Sequence, residues 1–113
     1  MNCSKFKKGK FIYFNKTENK FDKNHIAIRT INKQIFIDSK KGDTLTYSLK
    51  WTSSCEYELI FKSSNTKKEG IVKIGDTVQV IIEPIDNLIF NYISIIKKNG
   101  LEHEFKGKMK KIE

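Results

Sequence analysis

Residues Leu45 to Lys62 read LTYSLKWTSSCEYELIFK, and this stretch decides the fold class. Leu45, Tyr47, Leu49 and Trp51 alternate with Thr46, Ser48, Lys50 and Thr52. After a short polar break, Cys55, Tyr57, Leu59 and Phe61 alternate with Glu56, Glu58 and Lys62, with Ile60 as the one exception. A period of two is that of a strand with one face buried and one face wet. Pairing the two arms sets Trp51 opposite Cys55, Leu49 opposite Tyr57, Tyr47 opposite Leu59 and Leu45 opposite Phe61. Lys50 then meets Glu56 on the wet face. Such matches fix a hairpin register, because a slip of one residue turns every side chain to the other face.

The same pattern extends outward in both directions. A first strand is expected over Lys10–Phe14, with Phe6 ahead of it placed to plug one end of the fold. Asn15 to Asn24 is polar and reads as a loop, with Phe21 as an anchor. A second strand, Asn24–Ile31, and a third, Gln34–Ser39, are joined by Asn32-Lys33, since Asn tolerates the positive φ of a tight hairpin turn. That pairing sets Ile26, Ile28 and Thr30 beside Ile35, Ile37 and Ser39, and puts Arg29 and Phe36 together on the outer face as a cation–π pair. Gly42 marks the turn into the central hairpin.

Beyond the central hairpin, Ser63 to Gly70 is polar and Lys-rich, a loop or one helical turn over a barrel mouth. Val72, Ile74 and Thr77–Glu83 read as one long strand kinked at Gly75-Asp76. After a turn at Pro84–Asn87, Leu88–Ile96 is apolar on both faces, as for a strand covered by a loop or a partner. Asn99-Gly100 is the strongest hairpin turn in the chain. The last strand points Leu101, His103, Phe105, Gly107 and Met109 inward. Eight sequential strands with short turns and no helical period predict one all-β domain over residues 1–113. The expected form is an antiparallel meander closing into a small lipocalin-like barrel, since closure removes the exposed edges.

The chain's 113 residues carry a formal net charge of +9. Among the basic residues Arg29 is the sole arginine and all the others are lysine. An excess of Lys fits an anionic partner, or it fits wet strand faces covered with lysine; the second reading is preferred, because phosphate readers favour the planar fork of Arg. No apolar run approaches the ~20 residues of a membrane helix. The cysteines, Cys3 and Cys55, are free thiols in a cytosolic protein or a disulfide in an exported one. Met1-Asn2-Cys3 offers no apolar region of a signal peptide, so none is expected in this stretch, and an opening of Met, then Cys, then a strand reads as a mature domain given a start codon.

Chemistry-bearing constellations are few. His25 and His103 lie on separate strands with no carboxylate or nucleophile at a telling spacing, so no catalytic set is expected. Neither a metal site nor a cofactor is expected, because the Cys and His spacings match no standard zinc pattern. Glu56 and Glu58 share a strand face and are read as partners of Lys50. Six large aromatics, Tyr47, Trp51, Tyr57, Phe90, Tyr92 and Phe105, fall on predicted inward positions and are the candidate ligand contacts. An eight-stranded barrel is just wide enough to be filled by side chains. The lumen is therefore expected to be mostly packed, with a small pocket at one end and Trp51 in the core.

Two segments carry a family resemblance. Cys3, Phe6, Gly9 and Phe11 form C-x-x-F-x-x-G-x-F, followed by Ile28-Arg29. Lys50, Trp51, Cys55, Tyr57 and Leu59 form K-W-x-x-x-C-x-Y-x-L. Over roughly the first 60 residues the chain resembles small exported bacterial β-proteins of unknown function. The resemblance implies export to the periplasm or outside the cell, a Cys3–Cys55 disulfide and a meander barrel; without a leader the chain would stay in the cytoplasm. The expected function is that of a non-enzymatic exported barrel binding a small apolar ligand or a protein partner, with nucleic acid disfavoured. The alternative is a nucleic-acid-binding OB-like barrel using its basic surface.

Overall fold

The computed structural model describes residues 3–65, 73–98 and 100–113. Eight antiparallel strands follow one another around a closed barrel. They are β1 (Gly9–Asn15), β2 (Lys20–Arg29), β3 (Lys33–Asp38), β4 (Asp43–Trp51), β5 (Glu56–Ser64), β6 (Thr77–Pro84), β7 (Ile89–Lys98) and β8 (Leu101–Lys111). Every strand pairs with its neighbours in the chain, an up-and-down order distinct from the five-stranded Greek key of the OB fold. The meander barrel expected from the alternating pattern is the fold.

Closure rests on a short seam. β1 meets β8 at Phe11–Lys111, Ile12–Lys110 and Tyr13–Met109. The seam is extended by the Lys10 N–H, which donates to the Glu113 carbonyl at 2.9 Å, and by the Ile112 N–H, which donates to the Lys10 carbonyl at 2.8 Å. Gly9 makes this approach possible: its φ is +131°, and a Cβ there would lie 2.3 Å from the Glu113 oxygen. Only glycine accepts that conformation and that proximity.

One end of the barrel is sealed. A 3-10 turn, Ser4–Phe6, drives Phe6 under the strands, where its ring packs 4.7 Å from that of Phe90, itself 5.7 Å from Phe11. All three rings are fully buried. Each contributes about 1.5–3 kcal/mol relative to an exposed ring. Phe6 plugs the fold as its position before β1 predicted. The plug is fastened by Cys3 and Cys55, whose sulfurs are at disulfide distance, with Cα atoms 5.3 Å apart.

The central hairpin forms, with its register two residues from the expected one. Trp51 pairs with Tyr57, Leu49 with Leu59, Tyr47 with Phe61 and Lys50 with Glu58. Thr52–Cys55 makes a four-residue loop, closed by the Thr52 N–H donating to the Glu56 carbonyl at 2.9 Å. Cys55 is thereby drawn off the ladder toward Cys3. A shift of two preserves the inward face, so the alternating pattern is satisfied by either register.

Four further expectations change. The predicted loop before β2 is largely strand: Phe14 pairs with Phe21 and Asn15 with Lys20, beyond an irregularity between Ile12 and Tyr13. The rings of Phe14 and Phe21 meet at 5.2 Å, which makes Phe21 the anchor it was expected to be. On β2 and β3 the faces are reversed. Arg29 and Phe36 point inward, Ile28 outward, and no Arg29–Phe36 stack forms. The strand kinked at Gly75 is instead a turn, with the Asp76 N–H donating to the Lys73 carbonyl, and β6 starts at Thr77. The apolar outer positions of β7 (Ile89, Ile93, Ile95) are half-buried within the barrel surface. Most of the Lys-rich segment, Val72 and Asn99 lie outside the described residues.

Two stability predictions follow from these contacts. With a sequence separation of 52, the disulfide stabilises the fold by about 4 kcal/mol in the chain-entropy model. Thiol titration of the denatured, unreduced protein should find no reactive thiol, and the double variant Cys3→Ala/Cys55→Ala should melt well below the wild type. The second concerns acid. Backbone N–H donors hold carboxylates below their usual range, those of Asn24 at Asp22, Lys73 at Asp76, and Leu88 with Ile89 at Asp86. A depressed folded pKa gives stability that is present in full above about pH 4 and lost as pH falls through the folded value. Asp86→Ala should therefore lower the melting temperature at pH 7, and the gap from wild type should close in stronger acid.

Candidate functional site

Inward-facing residues above the sealed base do not fill the barrel. They leave a cavity of about 980 Å³ that opens to solvent at the opposite end, within the ~300–1,000 Å³ range of small-molecule sites. The expectation of a mostly packed lumen is corrected. Phe6, Phe11 and Phe90 are stacked together at the base, and the upper inward positions carry smaller residues such as Val78, Val80 and Ser94, which cannot span the barrel.

The six candidate ligand contacts divide. Tyr47, Tyr57, Tyr92 and Phe105 line the cavity. Phe90 is part of the base. Trp51 sits half-buried below the cavity, 4.8 Å from the Tyr57 ring, with the Lys7 ammonium 5.3 Å over its face. Its indole N–H is buried and has no hydrogen-bond partner among the described residues. Sequence reasoning missed Tyr13, Gln34 and Phe36, which also line the cavity. All four tyrosines of the chain thus face one space. The hydroxyls of Tyr13, Tyr47 and Tyr92 have no protein hydrogen bond among the described residues. Gly107 makes room for one of them: a Cβ there would lie 2.4 Å from the Tyr92 hydroxyl oxygen.

At the floor, behind this wall, lies Arg29, 2% exposed. Its Nη1 donates to the Phe6 carbonyl at 2.6 Å, its Nε to Gln34 Oε1 at 3.0 Å and its Nη2 to the Tyr57 hydroxyl at 2.9 Å. The guanidinium lies 4.6 Å from the Phe11 ring centroid and 4.7 Å from that of Tyr57. A buried cation is costly unless its donors are satisfied and its charge is balanced. Hydrogen bonds and ring faces meet the first need here; no carboxylate pairs with Arg29 among the described residues. The sequence held one signal for this site: a single arginine in a lysine-rich chain, as expected where a planar fork cannot be exchanged for an ammonium.

The rim carries a second polar group. Contrary to the reading of His25 as having no carboxylate at hand, its Nδ1 lies 2.6 Å from Asp22 Oδ2 and its Nε2 3.2 Å from Asp38 Oδ2. The imidazole stacks on Phe36 at 6.1 Å. The β2–β3 pairing sets His25 directly opposite Asp38, a proximity invisible in linear spacing. Burial pushes the Asp38 carboxyl up, but the N–H groups of Lys41 and Lys40 and the nearby His25 outweigh it and hold the group below its ordinary value. No hydroxyl or thiol hydrogen-bonds to His25 among the described residues, so the cluster has the form of a rim clasp between β2 and β3. His103 lies on β8 away from it. No group of three or more His, Cys, Asp or Glu side chains among the described residues is arranged so that it could hold a metal ion. No family model, curated protein or solved structure matches the chain.

Burial pushes the phenols of Tyr13, Tyr47, Tyr57 and Tyr92 up from their ordinary value; neighbouring tyrosines add to the shift at Tyr13, and Arg29 opposes it at Tyr57. A raised folded pKa gives stability that is full below the unfolded value of about 10 and lost as pH rises beyond it. Phenolate absorbance should therefore rise at higher pH in the folded protein than in the denatured chain. A tyrosine titrating reversibly near pH 10 in the intact barrel would contradict this placement.

Proposed function

We propose that the protein is a non-enzymatic, exported barrel that takes a small, largely apolar ligand into its lumen, in the manner of lipocalins. The observation that carries this reading is the open cavity of about 980 Å³, walled by aromatic and aliphatic side chains with a few polar atoms among them. That composition is typical of sites that bury a ligand by the hydrophobic effect and orient it with sparse hydrogen bonds. The Cys3–Cys55 pair fits an oxidising compartment, where disulfides persist.

The lysine excess needs no anionic macromolecule. Lys108 and Lys110 lay their ammonium groups over the outer-face rings of Phe14 and Phe21, at 5.0 and 5.8 Å. Their stems shelter apolar surface while the charge stays wet.

The test uses N-phenyl-1-naphthylamine, an uncharged apolar fluorophore that brightens out of water. It should bind the wild type with a blue-shifted emission. Ser94→Trp, which places an indole in the lumen while leaving the outer surface unchanged, should weaken binding about tenfold or more, the loss expected when a filled pocket can no longer bury the probe. Circular dichroism and melting should show the variant folded. Equal binding by the two proteins, or no binding by the wild type, would count against a lumenal site and favour an exterior interaction face.

A further inference from the structure

We propose that the lumen is built for an amphipathic ligand whose head is a carboxylate, received at the floor by the Tyr57 hydroxyl and the Gln34 carboxamide with Arg29 behind them. This rests on the lumenal reading above and adds the chemistry of the head.

The proton positions at the floor are set by Arg29. A guanidinium only donates, so the oxygen facing Nε must be the carbonyl of Gln34, which turns the Gln34 NH2 away from Arg29. By the same logic the Tyr57 oxygen accepts from Nη2, and its own proton is left to donate elsewhere. Gln34 is 4% exposed and lines the cavity, yet its Nε2 has no hydrogen-bond partner among the described residues. The Tyr57 hydroxyl proton likewise has no protein acceptor among them. Two donors without a protein acceptor among the described residues therefore face the apolar cavity at its floor and are available to a ligand.

Nε and Nη2 form the edge of the guanidinium that ordinarily grips a carboxylate with two parallel bonds. Here two neutral acceptors occupy that edge side by side, and their free protons carry its donor character one layer further into the lumen. Arg29 has no anionic partner among the described residues, so its charge polarises both donors and is itself uncompensated. A carboxylate accepts from both donors and supplies the missing negative charge. A neutral alcohol or alkane supplies no such charge. The upper cavity, bounded by side chains such as Leu45, Phe61, Val78 and Ile96, would take the apolar chain. Burial keeps Tyr57 protonated at neutral pH, as a donor must be.

Decanoate and decanol, each displacing N-phenyl-1-naphthylamine at neutral pH and below micelle formation, separate the two levels of the argument. Decanoate should compete about tenfold or more better than decanol, the worth of hydrogen bonds to a charged group. Gln34→Glu places a carboxylate against Arg29 within the protein. It should melt at or above the wild-type temperature and lose the preference for decanoate. Tyr57→Phe, which keeps the ring against Arg29 and removes only the donor, should reduce the preference without abolishing dye binding. Equal competition by decanoate and decanol in the wild type, or a decanoate preference intact in both variants, would overturn the head assignment while leaving the apolar lumen standing. Failure of both compounds to displace bound dye would overturn the assignment together with the lumenal reading.

Discussion

A buried guanidinium ties the N-terminal plug to the barrel wall. Arg29 at the end of β2 reaches the Phe6 carbonyl in the N-terminal plug, Gln34 on β3 and Tyr57 on β5, and rests against the rings of Phe11 on β1 and, at 5.9 Å, Phe90 on β7. Four other strands and the plug converge on one planar group. Its donors are directional, so it fixes the orientation of each partner as well as its proximity. Removing the guanidinium would leave the Phe6 carbonyl, the Gln34 Oε1 and the Tyr57 hydroxyl oxygen without their donor, and a buried polar group left unmet costs about 1–3 kcal/mol. The disulfide acts on the same plug by a different route, limiting the freedom of the unfolded chain, so the base is secured twice.

The sealed base determines what the rest of the barrel can be. Three phenylalanines spent at one end leave the other end short of volume, and eight strands set a circumference that valine, serine and leucine cannot fill. The cavity is thus a consequence of where the bulk sits along the strands. Counting large inward residues does not reveal it; their height above the base does.

The fold class was legible because it rests on a period. Alternation over Leu45–Phe61, repeated along β6 and β8, needs no knowledge of loops or neighbours. The hairpin register was less so, since registers two residues apart share a face and the choice between them lay with the four-residue loop and the Cys3 tether. Arg29 and Gln34 misled for a stronger reason. On a strand a charged or amide residue reads as outward, and here both point in because they satisfy one another and Tyr57. Phe36 was carried to the wrong face with Arg29. The His25 clasp was hidden because strand pairing, not chain spacing, brings Asp38 to it. The contacts of Arg29 with Gln34 and Tyr57, and of His25 with Asp38, are polar contacts across strands, which a strand-by-strand reading does not bring together.

An up-and-down barrel sends alternate connections to opposite ends. The β2–β3, β4–β5 and β6–β7 connections lie with the plug, and the strand ends joined by the other connections surround the opening. The two sets are therefore under unequal constraint. Around the opening, a change of turn length or composition alters the aperture and its chemistry while the Arg29 junction, far down the strands, stays as it is. A scaffold so divided can acquire new selectivity by drift in one set of turns without renegotiating its foldability, much as an instrument accepts interchangeable mouthpieces on an unchanged body.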